Sequence, residues 1–182
     1  MNYIIVTGNT LTFNGKIYAC AIGKAGFSAD KKEGDNCTPT GTFPLREVWY
    51  RADKMDAPKT ALPLRIITQN DGWCDDVSSE EYNRHMLRHP FERRNPENKA
   101  LDSSFRWNDA EMLWREDDLY DVVVVIGYND APVVADKGSA IFMHIAKPAY
   151  AGTEGCVALE KRDLLDVLRH CDAQTMIVIE KA

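Results

Sequence analysis

The run Val122-Val123-Val124-Val125-Ile126, inside "DVVVVIGY", is the tightest constraint on what this chain can fold into. Consecutive β-branched side chains lose χ1 freedom against a helical turn and pack well on a pleated surface. The run therefore reads as a buried strand. "SAIFMHI", ending near His144, and "TMIVIE", near the end of the sequence, read the same way. At the other end, "LTFNGKIYACAIG" sets Asn14-Gly15 between two apolar runs. Asn-Gly suits a two-residue type I′ turn, which needs positive φ at both central residues. Strands are expected near Ile4 to Val6, Thr10 to Phe13 and Lys16 to Ile22. "EKRDLLDVLRHC" places Leu164, Leu165 and Leu168 at helical spacing, so a helix is expected over 160–170.

Between these blocks the sequence is less regular. Residues 23–45, "GKAGFSADKKEGDNCTPTGTFPL", are rich in Gly, Pro and charge and read as a long loop leading into a strand at Gly41 to Tyr50. Ordered loops of that length are often functional. Residues 70–118 are polar and lean towards helix. "SSEEYNRHMLRH" offers an N-cap serine and stops at Pro90, and "WNDAEMLWREDD" is a second candidate helix. We read this region as an insertion, with helices within 76–117, in a single domain spanning 1–182.

With 182 residues the chain is long enough for a sizeable core, and its 45% apolar and 27% charged residues match a soluble globular protein. A net charge of −6 disfavours binding to nucleic-acid phosphates. No stretch is long enough to span a bilayer, and "MNYIIVTGNTLTFNGK" lacks the basic start, apolar core and cleavage site of a signal peptide. The expectation is a cytoplasmic protein. Five cysteines, an odd number without a CxxC pair, are expected to be free thiols.

One short segment carries candidate chemistry, "IFMHIAKPAYAGTEGCVAL". Thiol catalysis needs a cysteine, a base to take its proton, and donors for the oxyanion. His144 ends one expected strand, and Cys156 follows a glycine just before another. If the two strands are neighbours, His144 and Cys156 meet. Gly155 would let the backbone bend and a substrate approach, with the Gly155 and Cys156 N–H groups facing the oxyanion. Against this stands the plainer reading, that a lone cysteine and a lone histidine are two buried side chains.

"HIAKPAYAGTEGCVAL" resembles the signature of the L,D-transpeptidase (YkuD) family, a histidine followed by Ser/Thr-x-Gly-Cys-Ile/Val, here His144, Thr153, Gly155, Cys156 and Val157. "TPTGTFPL", residues 38–45, resembles the family's upstream Thr-Pro-x-Gly-x-Phe block, in the right order. Three positions depart from the pattern. Ile145 replaces the usual Gly after the histidine, Ala158 replaces an Arg, and Thr153 stands for the commoner Ser. The resemblance implies a mainly β fold, a sandwich or barrel-like catalytic domain. It implies that Cys156 attacks the amide before the terminal D-Ala of a peptidoglycan stem peptide, with His144 as base and no metal or cofactor. An amine acceptor then gives transpeptidation, and water gives carboxypeptidation. The chain resembles some signal-less members of the family, which act as L,D-carboxypeptidases that trim tetrapeptides during wall recycling, so hydrolysis is the expectation here.

Substrate contacts are expected from Thr153, Trp73, Tyr82, Asn83 and Lys147, although Trp73 and Tyr82 would equally serve to anchor the insertion. Arg93 and Arg94 are candidates for a stem carboxylate, or a solvated pair. Glu154, beside the nucleophile, would repel anions or point to solvent. His85 and His89 have the spacing of a zinc pair but lack the glutamate of HExxH, so no metal is expected. Two other readings stay open: a catalytically dead module that binds wall fragments, and a cysteine peptidase of another family. The order of His before Cys does not suit a papain-like enzyme.

Overall fold

In the computed structural model, which describes residues 2–87 and 110–181, Asn14 and Gly15 take φ of +49° and +75°. This is the turn the dipeptide predicts, and it joins β2 (Thr10–Phe13) to β3 (Lys16–Ala19). β1 (Tyr3–Thr7) precedes them and alternates as a half-buried strand should. Ile4 and Val6 are fully buried, while Tyr3 and Ile5 face outward. The loop that follows carries two short strands, β4 (Phe27–Ser28) and β5 (Thr38–Pro39), and leads into the long β6 (Gly41–Tyr50). β7 (Leu64–Ile66) pairs with β6.

The valine run forms β11 (Val122–Ile126), buried at every position. β12 (Phe142–Ile145) lies antiparallel to it, and β13 (Val157–Leu159) lies parallel to β12. The expected C-terminal helix is α1 (Lys161–Leu168), and β14 (Met176–Glu180) closes the series. The main sheet runs β13-β12-β11-β6-β14-β1-β2-β3. Its two ends meet where Ala21, just past β3, exchanges backbone hydrogen bonds of 2.8 and 2.9 Å with Ala158 of β13. The result is a nearly closed, barrel-like sheet, in which few backbone groups are left at an open edge. The chain is mainly β, as expected. Among the described residues no helix is long and apolar enough to cross a membrane.

The burial of β11 on both faces has two sources. Val122, Val124 and Ile126 join the main core with Ile4, Val6, Met143, Ile145 and the α1 residues Leu164, Val167 and Leu168. Val123 and Val125 point the other way, into a second cluster with Trp49, Leu113, Tyr120, Phe142 and Cys156. The insertion supplies the cover for that outer face. Its described residues form a three-stranded sheet of β8 (Asp71–Cys74), β9 (His85–Leu87) and β10 (Ala110–Met112).

This corrects the helical expectation for the insertion wherever it is described. Residues 78–84 are turns. Asp76 accepts hydrogen bonds from the Ser78 N–H and hydroxyl at 2.8 and 2.7 Å, and the Ser79 hydroxyl takes the Glu81 N–H at 3.1 Å. Such short polar side chains offer the backbone an alternative to the helix. Asn83, at φ +56°, then turns the chain into β9. Ala110–Met112 pairs with Gly72–Cys74, so sheet pairing overrides the helix propensity of "AEML". Arg93, Arg94 and His89 lie outside the described residues.

Candidate active site

β12 and β13 bring His144 and Cys156 together. Met143 stands opposite Val157, so Cys156 lies beside Phe142, whose N–H donates to the sulfur at 3.4 Å. Side chains alternate along a strand, so Phe142 and His144 share a face, and it is the face Cys156 occupies. Both residues line one cavity of about 290 Å³, between the outer face of the main sheet and the covering segment that carries Arg115, Leu119 and Tyr120.

The turn before Cys156 is built by Thr153. Its hydroxyl accepts the Gly155 N–H at 3.2 Å and donates to the Cys156 carbonyl at 2.6 Å. Gly155 has φ +143°, and a Cβ there would stand 2.9 Å from the Cys37 carbonyl oxygen. Any other residue would therefore be both strained and crowded, and would displace the cysteine. The expected oxyanion role of the Gly155 N–H needs correction in this state, because Thr153 already engages that group. Thr153 lines the cavity, but its hydroxyl shapes the turn.

Each member of the pair is held in its neutral form. Burial pulls the His144 pKa down to about 4, against the opposing effect of its bond to the Ile145 carbonyl. Nδ1 lies 2.8 Å from that carbonyl oxygen. A carbonyl only accepts, so Nδ1 carries the proton and Nε2 keeps a free lone pair. The Tyr120 ring packs edge-on against the imidazole, with centroids 5.3 Å apart. Burial pushes the Cys156 thiol up to about 12, while the Phe142 N–H opposes the shift. The thiol donates to the Ala140 carbonyl at 3.2 Å.

Trp73, Tyr82 and Asn83 do not line the cavity. They fasten the insertion to the segment before β12. The Asn83 side chain accepts from Trp73 Nε1 at 2.9 Å and from the Ala140 N–H at 3.0 Å, and donates to the carbonyls of Tyr128 and Asn129. The Tyr82 hydroxyl donates to Glu33 and accepts from the Gly138 N–H. Their anchoring role is the one the structure displays, and through Ala140 it reaches the thiol. His85 is engaged by Asp71 at 2.6 Å.

Lys147 lines the cavity, is exposed, and has no ion-pair partner among the described residues. Glu154 also lines it and pairs with Lys24 at 3.1 Å. The sequence reading missed Glu33, Asp75, Glu111, Arg115, Tyr120 and Ser139, which also line the cavity. It also missed Lys31, which is buried, paired with Asp35 at 2.7 Å, and packed close to Gly155. The signal for Lys31 and Glu33 was the length and charge of the 23–45 loop. Arg115 is held in two hydrogen bonds by Asp117, at 2.8 and 2.7 Å. Ala158, where the signature has arginine, is buried in the sheet closure and brings no charge to the cavity.

The family model for the L,D-transpeptidase catalytic domain, YkuD, matches residues 2–179. Neither the comparison with curated proteins nor that with solved structures gives a match.

Proposed function

Because the chain belongs to the L,D-transpeptidase catalytic-domain family, which performs cysteine-dependent acyl transfer on peptidoglycan, we propose that it is an L,D-carboxypeptidase. It removes the terminal D-Ala from stem tetrapeptides of soluble wall fragments, a recycling role in the cytoplasm. The observation that carries the reading is the shared cavity of Cys156 and His144, with an unprotonated Nε2.

In this mechanism the thiol turns from the Ala140 carbonyl towards His144. As sulfur bonds to the scissile carbonyl carbon, Nε2 takes the thiol proton. Collapse of the tetrahedral intermediate breaks the C–N bond, and His144 returns that proton to the departing D-Ala amine. Water then attacks the thioester, with His144 again accepting a proton, and releases the shortened peptide and the free thiol. The neutral resting pair suits this order of events, since no charge is buried before substrate arrives.

The family description itself favours a second reading, transpeptidation with an amine acceptor. Purified protein incubated with a disaccharide-tetrapeptide, followed by mass spectrometry, separates the two. Loss of D-Ala, abolished by Cys156→Ala, is the expected result. Dimeric peptides or exchange with added D-amino acids would favour the transpeptidase. No product of either kind would leave a binding module.

A further inference from the structure

We propose that Glu33 is the specificity-determining residue of the cavity, receiving a cationic amine on the side chain of the acyl-donor residue, whose carbonyl Cys156 attacks. The inference rests on the functional reading above and names what its substrate must carry. Glu33 lines the cavity and is held by three donors. The Tyr82 and Ser139 hydroxyls bond Oε2 at 2.5 and 2.7 Å, and the Gly34 N–H bonds Oε1 at 3.2 Å. A carboxylate has about four lone-pair sites, so one on Oε1 stays open. No cation pairs with Glu33 among the described residues. A fixed, half-buried carboxylate with an open site and no counter-charge is suited to a cation brought by the ligand.

The strand order fixes which part of the substrate brings it. Glu33 is tied to Ser139, ahead of β12. Cys156 stands beside Phe142, His144 comes next, and Lys147 follows the strand. Ser139 thus precedes the strand and Lys147 follows it, with Phe142, beside the thiol, and His144 between them along the chain. The leaving amine must be on the His144 side of the thiol, because His144 protonates it. The leaving residue's free carboxylate then lies towards Lys147, and the donor residue's side chain towards Glu33. Arg115 does not compete for either charge, being bound by Asp117.

The test uses the Cys156→Ala protein, calorimetry and two synthetic peptides, L-Ala-γ-D-Glu-L-Lys-D-Ala and the same peptide acetylated on its lysine amine. The free amine should bind about tenfold to a hundredfold more tightly than the acetylated form, the range of a charge-assisted hydrogen bond. Adding Glu33→Gln, which keeps the size and most of the hydrogen bonds of the side chain, should erase that preference and leave the acetylated peptide unchanged. Equal binding of the two peptides by Cys156→Ala, no binding of either, or a preference that survives Glu33→Gln would overturn the proposal. Because binding is read without turnover, the functional reading fails separately: an amine preference in binding, with no D-Ala released by the intact protein, removes the carboxypeptidase and leaves Glu33 in its role.

Discussion

At the scale of single residues, the thiol and imidazole form a neutral pair. His144 stays uncharged above about pH 4 and Cys156 stays protonated to about pH 12. A preformed thiolate–imidazolium pair would instead need a depressed thiol pKa. D-Ala release should therefore be flat from about pH 5 to about pH 9, with no inflection near the ordinary histidine value. An acid limb centred near 6.5 in a pH–rate profile would contradict the neutral pair. The meeting of Cys156 and His144 was legible in the sequence because the motif restricts their spacing and the strands that carry them are locally patterned. The 23–45 loop stood out by its length and charge, but that Glu33 and Lys31 are the members near the site was not legible, since a charged residue in a loop looks the same whether it faces solvent or a cavity. Nor was the use of the Gly155 N–H, which depends on where the Thr153 hydroxyl turns.

At the scale of elements, β11 and the insertion explain one another. Five buried positions in one strand require cover on the outer face, and β8, β9, β10 and the Leu113–Tyr120 segment provide it. The valine run was readable as a strand because its pattern is local. The described part of the insertion was misread as helical because its strands are short and defined by pairing with distant partners, while its polar side chains match helix-cap signals. Asn83 joins this cover to the site, being nearly buried and using its whole amide. Asn83→Ala would leave the Trp73 and Ala140 N–H groups and two carbonyls short of partners. The expected loss is about 3 kcal/mol of stability, measured by urea denaturation. Because Ala140 accepts the thiol hydrogen bond, kcat for D-Ala release should fall more than KM rises.

At the scale of the whole molecule, burial of His144 makes the fold sensitive to acid. The unfolded chain takes up a proton at the ordinary value of 6.5, the folded one only near 4. Stability from this group is complete above 6.5 and is lost as pH falls towards 4, by about 3 kcal/mol. Asp53 and Asp117, held below the ordinary 3.8 by Arg51 and Arg115, extend the loss to lower pH. Denaturation curves at pH 7, 5.5 and 4 should show the first decline, and His144→Gln should flatten it. The order of strands also bears on how the protein is made. β14 lies between β6 and β1, so residues 176–180 join two pieces of the main sheet that otherwise meet through the isolated bridges Ala21–Ala158 and Gly23–Thr153. While a ribosome still holds those residues, the first hairpin and the strands bearing the reactive pair cannot be zipped together through that seam. The seam between β6 and β1 thus closes only when a strand made long after either of them arrives, and a nascent chain must be kept from pairing with its neighbours until then.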